Sequence, residues 1–133
     1  MEKRSLIQLA ETLEPWHPID FMEVNGVGTR LFVAEGSFPW HLHEQNAEFF
    51  LTIRGRITVE TENGDFVLEE GEAVVVPANT LHRPRAESRA VCLAIPQSTD
   101  PRFADTVYKD AAEVRATLPY VTGPIRLLDE DSG

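Results

Sequence analysis

The hydrophobic positions follow two different periods along the chain. Near the start, Leu6, Leu9, Ala10 and Leu13 recur at helical spacing, and Ser5 with Gln8 has the form of a capping box. Pro15 and Pro18 end that segment. From residue 20 to 96 the period shifts to two, in short β-branched and aromatic runs separated by Gly, Pro and Asn. Runs at 21–24 and 30–35 flank the turn Asn25-Gly26-Val27-Gly28. Runs at 40–43, 48–54 and 56–62 follow, and Asn63-Gly64 closes a hairpin because both residue types tolerate positive φ. Runs at 66–68, 73–76, 82–85 and 90–95 complete roughly nine strands, the pattern of an all-β sandwich or barrel. Helical spacing returns over 106–118, where Val107, Ala111, Val114 and Leu118 share a stripe before Pro119. The acidic residues 129–133 read as a disordered end. The chain thus divides into an N-terminal helix and extension (1–19), a β domain (20–96) and a C-terminal extension (97–133) with a helix at 106–118.

Composition changes this picture little. With 133 residues and 42% hydrophobic content, the chain can bury a core of its own. The net charge of −10 argues against nucleic acid or an anionic membrane as partner, since phosphate contacts need a basic face. Cys92 is the only cysteine, so no internal disulfide forms, which suits a reducing cytoplasm. No apolar run is long enough to cross a bilayer or to act as a signal peptide, and a soluble cytoplasmic protein is expected.

The chemistry concentrates in two segments. In a strand, residues two apart project to the same face, so His41 and His43 point together. Glu48 opens the next strand after a short turn and can face them. Further on, Pro77 and Asn79 set a sharp turn before His82, which a closed barrel can bring into the same cavity. Imidazoles with a carboxylate make a mixed nitrogen/oxygen donor set suited to Fe, Mn, Zn or Ni.

The stretch from Gly36 through His41, His43 and Glu48 to Gly55, and that from Gly71 through Pro77 to His82 and Ala86, resemble the two motifs of the cupin family. The resemblance implies a double-stranded β-helix, the cupin jelly-roll barrel, over about residues 20–96. It also implies one divalent metal ion held by His41, His43, Glu48 and His82. Three departures stand out. Four residues, not five, separate Gly36 from His41, Asn79 replaces the second motif's Gly, and Ala86 replaces its terminal Asn. Asn tolerates the left-handed conformation best after Gly, so the turn is expected to survive.

The family includes dioxygenases, isomerases, decarboxylases, storage proteins and sensors. The leading expectation is a metal-dependent enzyme, dioxygenase- or isomerase-like, acting on a small oxygenated or aromatic molecule, with Glu48 also accepting a proton. The alternative is a non-catalytic protein that binds a metal or small ligand. Strand alternation sends Phe50 and Thr52 toward the cavity as pocket residues. Phe49, Leu51 and Ile53 then form an apolar outer face, covered either by a terminal helix or by a second subunit; a homodimer is expected. Glu44 adjoins His43 and points the other way, His17 reads as structural or exposed, and Cys92 as a small buried hydrophobe.

Overall fold

The computed structural model describes residues 1–95 and 106–128. The acidic end at 129–133 and the end of the expected barrel at 96 lie outside the described residues. Helix α1 (Leu6–Ala10) starts at Ser5, whose hydroxyl accepts the Gln8 N–H at 3.2 Å. The chain then turns sharply at Trp16, whose φ is +63°. This strained turn is held by the Trp16 N–H donating to the Val33 carbonyl and by the indole donating to the Glu35 carbonyl.

Nine strands follow: β1 (Ile19–Val24), β2 (Val27–Ser37), β3 (His41–His43), β4 (Glu48–Arg54), β5 (Ile57–Thr61), β6 (Gly64–Leu68), β7 (Ala73–Val76), β8 (His82–Ile95) and β9 (Thr106–Tyr108). All strand pairings are antiparallel, and the curled sheet is the double-stranded β-helix expected from the sequence. Strand β8 is its spine. One part of it pairs with β2 and β4, and its first residues pair with β5 and, through His82, with β3.

Three sequence expectations are corrected. The runs at 82–85 and 90–95 are one strand, because the exposed Glu87, Ser88 and Arg89 between them stay extended. The helix expected at 106–118 is a strand, β9, followed by a shorter helix α2 (Ala111–Thr117). Asp110 intervenes as N-cap, accepting the Ala112 and Glu113 N–H groups, so helical conformation cannot extend back through it. In the β5–β6 hairpin only Gly64 takes positive φ; the Thr61 hydroxyl, bonded to Asn63 N–H and Gly64 carbonyl, holds the turn in place of a left-handed Asn63.

Two apolar clusters follow from strand alternation. Phe32 and Ala34 of β2 face inward with Phe50, Val76 and Ala94, and this inner cluster includes Val114 and Leu118 from the C-terminal segment. Leu31 and Val33 face outward and pack with Ala10, Leu6, Leu9 and Leu13. Ile53 joins this outer cluster, so the N-terminal segment covers that end of the outer β4 strip. The C-terminal helix does not cover it; its apolar side is spent on the inner core. No helix among the described residues is long and apolar enough to cross a membrane.

Candidate metal centre

Strand β3 is short, but it lies between two partners. His41 pairs with His82 of β8, and His43 with Thr106 of β9. The His41–His82 pairing sets those imidazole centroids 4.4 Å apart, and His43 lies 5.1 Å from His41 on the same face. Glu48, the first residue of β4, brings its Oε1 to 3.2 Å from His43 Nε2 and 3.4 Å from His82 Nε2. One donor atom from each of His41, His43, Glu48 and His82 lies within 4.8 Å of all the others. The turn before His82 survives its Asn: Asn79 has φ of +60°, and its N–H donates to the His43 carbonyl at 2.6 Å, tying the two motif segments together.

The far side of each ring fixes what the near side offers. His41 Nδ1 lies 2.8 Å from the Pro39 carbonyl, and His82 Nδ1 lies 2.8 Å from the Thr80 carbonyl. A carbonyl only accepts, so in both rings Nδ1 carries a proton; Nε2 is left to face the cluster, as a lone pair when the ring is neutral and, in His82, as a donor to Glu48 when it is protonated. His43 Nδ1 meets the Thr106 hydroxyl at 3.0 Å instead. Such outer partners commonly orient metal-bound histidines.

Burial, together with the charges of His82 and His43, pushes His41 down to about 3 against the pull of Glu48 and the Pro39 carbonyl, so the ring is neutral and ready to coordinate. Burial alone would push the Glu48 carboxyl up, but hydrogen bonds from His43 and His82 outweigh it and hold Glu48 well below the usual carboxylate range. A cation between these Nε2 atoms and the ionised carboxylate can take the place of the protons that otherwise bridge them. A divalent ion fits that place, and these four residues can hold one.

A cavity of 260 Å³ opens beside the cluster, reaching His41, His43 and Glu48. Its walls are largely aromatic, from Phe32, Phe38 and Phe50 inside the barrel and Trp16, Tyr108 and Tyr120 from the two ends of the chain. Burial raises both phenols, with the charges of Tyr120 and Glu48 adding to the rise at Tyr108, so both stay protonated at neutral pH. Phe50 lines this cavity as its alternation suggested. Thr52 does not: it lies two residues further along β4, paired with Cys92 and fully buried, with its hydroxyl unpartnered among the described residues. Glu44 is outside the cluster and bonds Arg126 at 2.6 Å. His17 is exposed against the Tyr120 ring, and Cys92 is buried with its thiol raised by burial.

Several contributors escaped the sequence reading, among them Thr106 and Tyr108, assigned to a helix, Trp16, left in the N-terminal extension, and Arg30, assigned to a strand without a role. For Arg30 the signal was present, since it alternates with Phe32 and Ala34.

An antiparallel double-stranded β-helix with three imidazoles and one carboxylate at one end of its interior defines a class of small barrel proteins with a candidate metal site. Residues 30–96, half of the chain, match the cupin domain, and the chain belongs to the cupin family. It is 28% identical over 94 residues to the uncharacterized protein YdbB of Bacillus subtilis, covering 69% of this chain and 83% of that one. It is 33% identical over 66 residues to quercetin 2,3-dioxygenase of the same organism, covering 47% of this chain but only 20% of the dioxygenase. Among solved structures, protein NMB1881 of Neisseria meningitidis superposes with a TM-score of 0.65 at 27% identity, over 73% of this chain and 100% of that one.

Proposed function

We propose that the chain is a metal-dependent enzyme of the dioxygenase type, acting on a small oxygenated aromatic molecule. The observation that carries this reading is the juxtaposition of the His41, His43, Glu48 and His82 donor set with an aromatic-walled cavity. His41, His43, Glu48 and His82 would hold a divalent ion, which would supply a Lewis acid at the cavity. The protein's own groups do the rest. His41 stays neutral, so it would not have to lose a proton to bind the ion. Glu48 stays ionised at the cavity edge, where it can accept a proton from a substrate hydroxyl. The aromatic walls hold a flat ring and keep water from it. The resemblance to quercetin 2,3-dioxygenase supports the reaction type.

The test is oxygen consumption by the iron-loaded protein across catechols, flavonols, thiols and keto-acids. Consumption with an aromatic diol is expected, and Glu48→Gln should lower turnover far more than it weakens substrate binding. Nothing consumed across the panel would refute the reading, as would consumption unchanged in Glu48→Gln. A second reading, a non-catalytic metal and small-ligand binder, draws on one observation: Glu48 is the only carboxylate among the described residues of the cavity wall. For that protein the same substitution alters affinity with no reaction to lose.

We also infer a homodimer formed through the outer face of β4. Phe49 and Leu51 are half-buried there, and Val75, paired with Phe49, is 58% exposed. Light scattering at micromolar concentration should show a dimer that Leu51→Glu dissociates; a native monomer would contradict it.

A further inference from the structure

We propose that Arg30 is the anion anchor of the cavity, and that the molecule bound there is a one-ring arene whose carboxylate lies remote from the group facing the His–Glu cluster. This rests on the cavity being the ligand site in the reading above, but not on catalysis.

The placement of Arg30 follows from strand alternation. Leu31 and Val33 of β2 face outward beneath α1, while Phe32 and Ala34 face inward. Arg30 therefore projects to the inner face, and it lines the cavity together with Phe32. It is the only cation among the described residues of that wall. The register across three neighbouring strands sets Arg30 opposite Ala94, and Ala94 opposite Phe50. A methyl group between an arginine and a phenylalanine leaves a slot between their long side chains. Phe32 and Phe50 offer ring surfaces beside it, with their own centroids 6.5 Å apart.

The guanidinium is available. Among the described residues its one ion pair is to Asp20 at 3.6 Å, and the Arg30 and Asp20 side chains are 44% and 75% exposed. A solvated pair of that kind is worth about 1 kcal/mol or less, so a ligand carboxylate can displace it or share it. Arginine presents five N–H donors in a fork that matches a carboxylate, and the Arg30 guanidinium meets only Asp20 among the described residues.

Charge balance points the same way. A divalent ion with one carboxylate leaves the cluster with one excess positive charge, and Arg30 adds another at the same cavity. The Arg30 side chain is 44% exposed, so its charge is partly screened, but both positive charges act at the same cavity and favour an anion there although the whole chain carries −10. Size sets the ring count. At 260 Å³ the cavity falls below the roughly 300–1,000 Å³ of sites for drug-sized ligands, which suits one substituted ring and not a three-ring flavonol.

The test reads binding, not turnover. Zinc-loaded protein, in which the metal has no redox chemistry, is titrated with 3,4-dihydroxybenzoate and with catechol, which share a chelating head and differ in the remote carboxylate. Metal-stripped protein is titrated in parallel with benzoate and benzamide. The dihydroxybenzoate should bind about tenfold to a hundredfold more tightly than catechol, the range for a charge-assisted hydrogen bond. Arg30→Gln should bring that ratio to within about twofold, by weakening the dihydroxybenzoate far more than the catechol. Arg30→Lys, which keeps the charge but not the fork, should retain part of the preference, and Asp20→Asn, which removes the competing carboxylate, should strengthen it. These two read the anchor even if Arg30→Gln does not fold. A ratio near one in the native protein, a ratio undiminished in Arg30→Gln, or no binding of either arene overturns the proposal. A carboxylate preference in protein whose iron-loaded form consumes no oxygen leaves the anchor standing and sinks the catalytic reading. Oxygen consumption with both arenes, identical in native protein and Arg30→Gln, does the reverse.

Discussion

Thr106→Val should weaken metal binding at the cluster by about tenfold, or about 1.4 kcal/mol. Valine keeps the β-branched shape that suits β9 and removes only the hydroxyl that meets His43 Nδ1 at 3.0 Å. Loss of an outer hydrogen-bond partner of a metal-bound histidine commonly costs 10–100-fold in affinity, as an order of magnitude. The lower end applies here because the His43 side chain is 19% exposed, so water can take over the vacated position. His41 and His82 lean on backbone carbonyls that substitution cannot remove, so two of the three rings keep their orientation. The assay is a competition titration of zinc against a chelating dye, with circular dichroism to confirm that the fold is unchanged. An affinity within about twofold of native would show that the strand pairing alone orients His43. A loss well beyond a hundredfold would show that the substitution had dislodged β9 itself.

Glu44→Gln should leave zinc affinity unchanged and Glu48→Gln should lower it at least tenfold, roughly the cost of one lost charge-assisted contact; the same dye titration checks both, and equal effects would refute the choice of carboxylate. Gly36 and Gly55 have nearly the same φ, +81° and +82°, but a Cβ at Gly36 meets nothing within 4 Å while one at Gly55 comes 3.1 Å from Ala90 Cβ. Urea denaturation should therefore show Gly36→Ala costing about 1–2 kcal/mol for the left-handed conformation alone and Gly55→Ala clearly more, and equal costs would refute the steric argument. The metal-free protein should lose stability on acidification. His41 binds a proton below 6.5 when unfolded but only near 3 when folded, so its contribution is complete above 6.5 and falls by about 1.4 kcal/mol per pH unit between those values. Glu48, also depressed, adds to the loss only below the ordinary carboxylate range. Melting temperatures that stay flat from pH 6.5 to about 4 would contradict this.

The strands and the His41/His43 pair were legible because both rest on local rules, while the closed barrel and the addition of Glu48 and His82 came from the resemblance to the cupin motifs. Period-two alternation and turn residues mark strands one at a time, and His41 with His43 needs only the two-residue repeat of one strand to share a face. Asn79 could be trusted in its turn because tolerance of positive φ belongs to the residue type. What was not legible depends on distant pairing. Residues 106–108 have a pattern too short to distinguish strand from helix; they are extended because β3 offers a free edge, with hydrogen bonds that local propensity does not register. The single strand β8 was missed because Glu87, Ser88 and Arg89 look like a turn, yet Arg89 reaches across to the Ala10 and Leu13 carbonyls and anchors that stretch to the N-terminal helix. The distinction between Phe50 and Thr52 is one of depth, which alternation does not encode.

The cavity draws on two kinds of chain. Its metal-facing side, with His41, His43, Glu48 and Phe50, comes from within 30–96, while Trp16, Pro18, Thr106, Tyr108, Leu118, Tyr120 and Val121 come from the flanking stretches. The candidate metal site and the shape of the cavity are therefore separately adjustable. Among these flanking residues Thr106 meets His43, while His41 and His82 lean on the Pro39 and Thr80 carbonyls within the barrel, so substitutions elsewhere in the flanking wall can reshape the cavity while those two rings stay held. The barrel supplies a reusable chemical end, and the two termini act as an exchangeable mould around it.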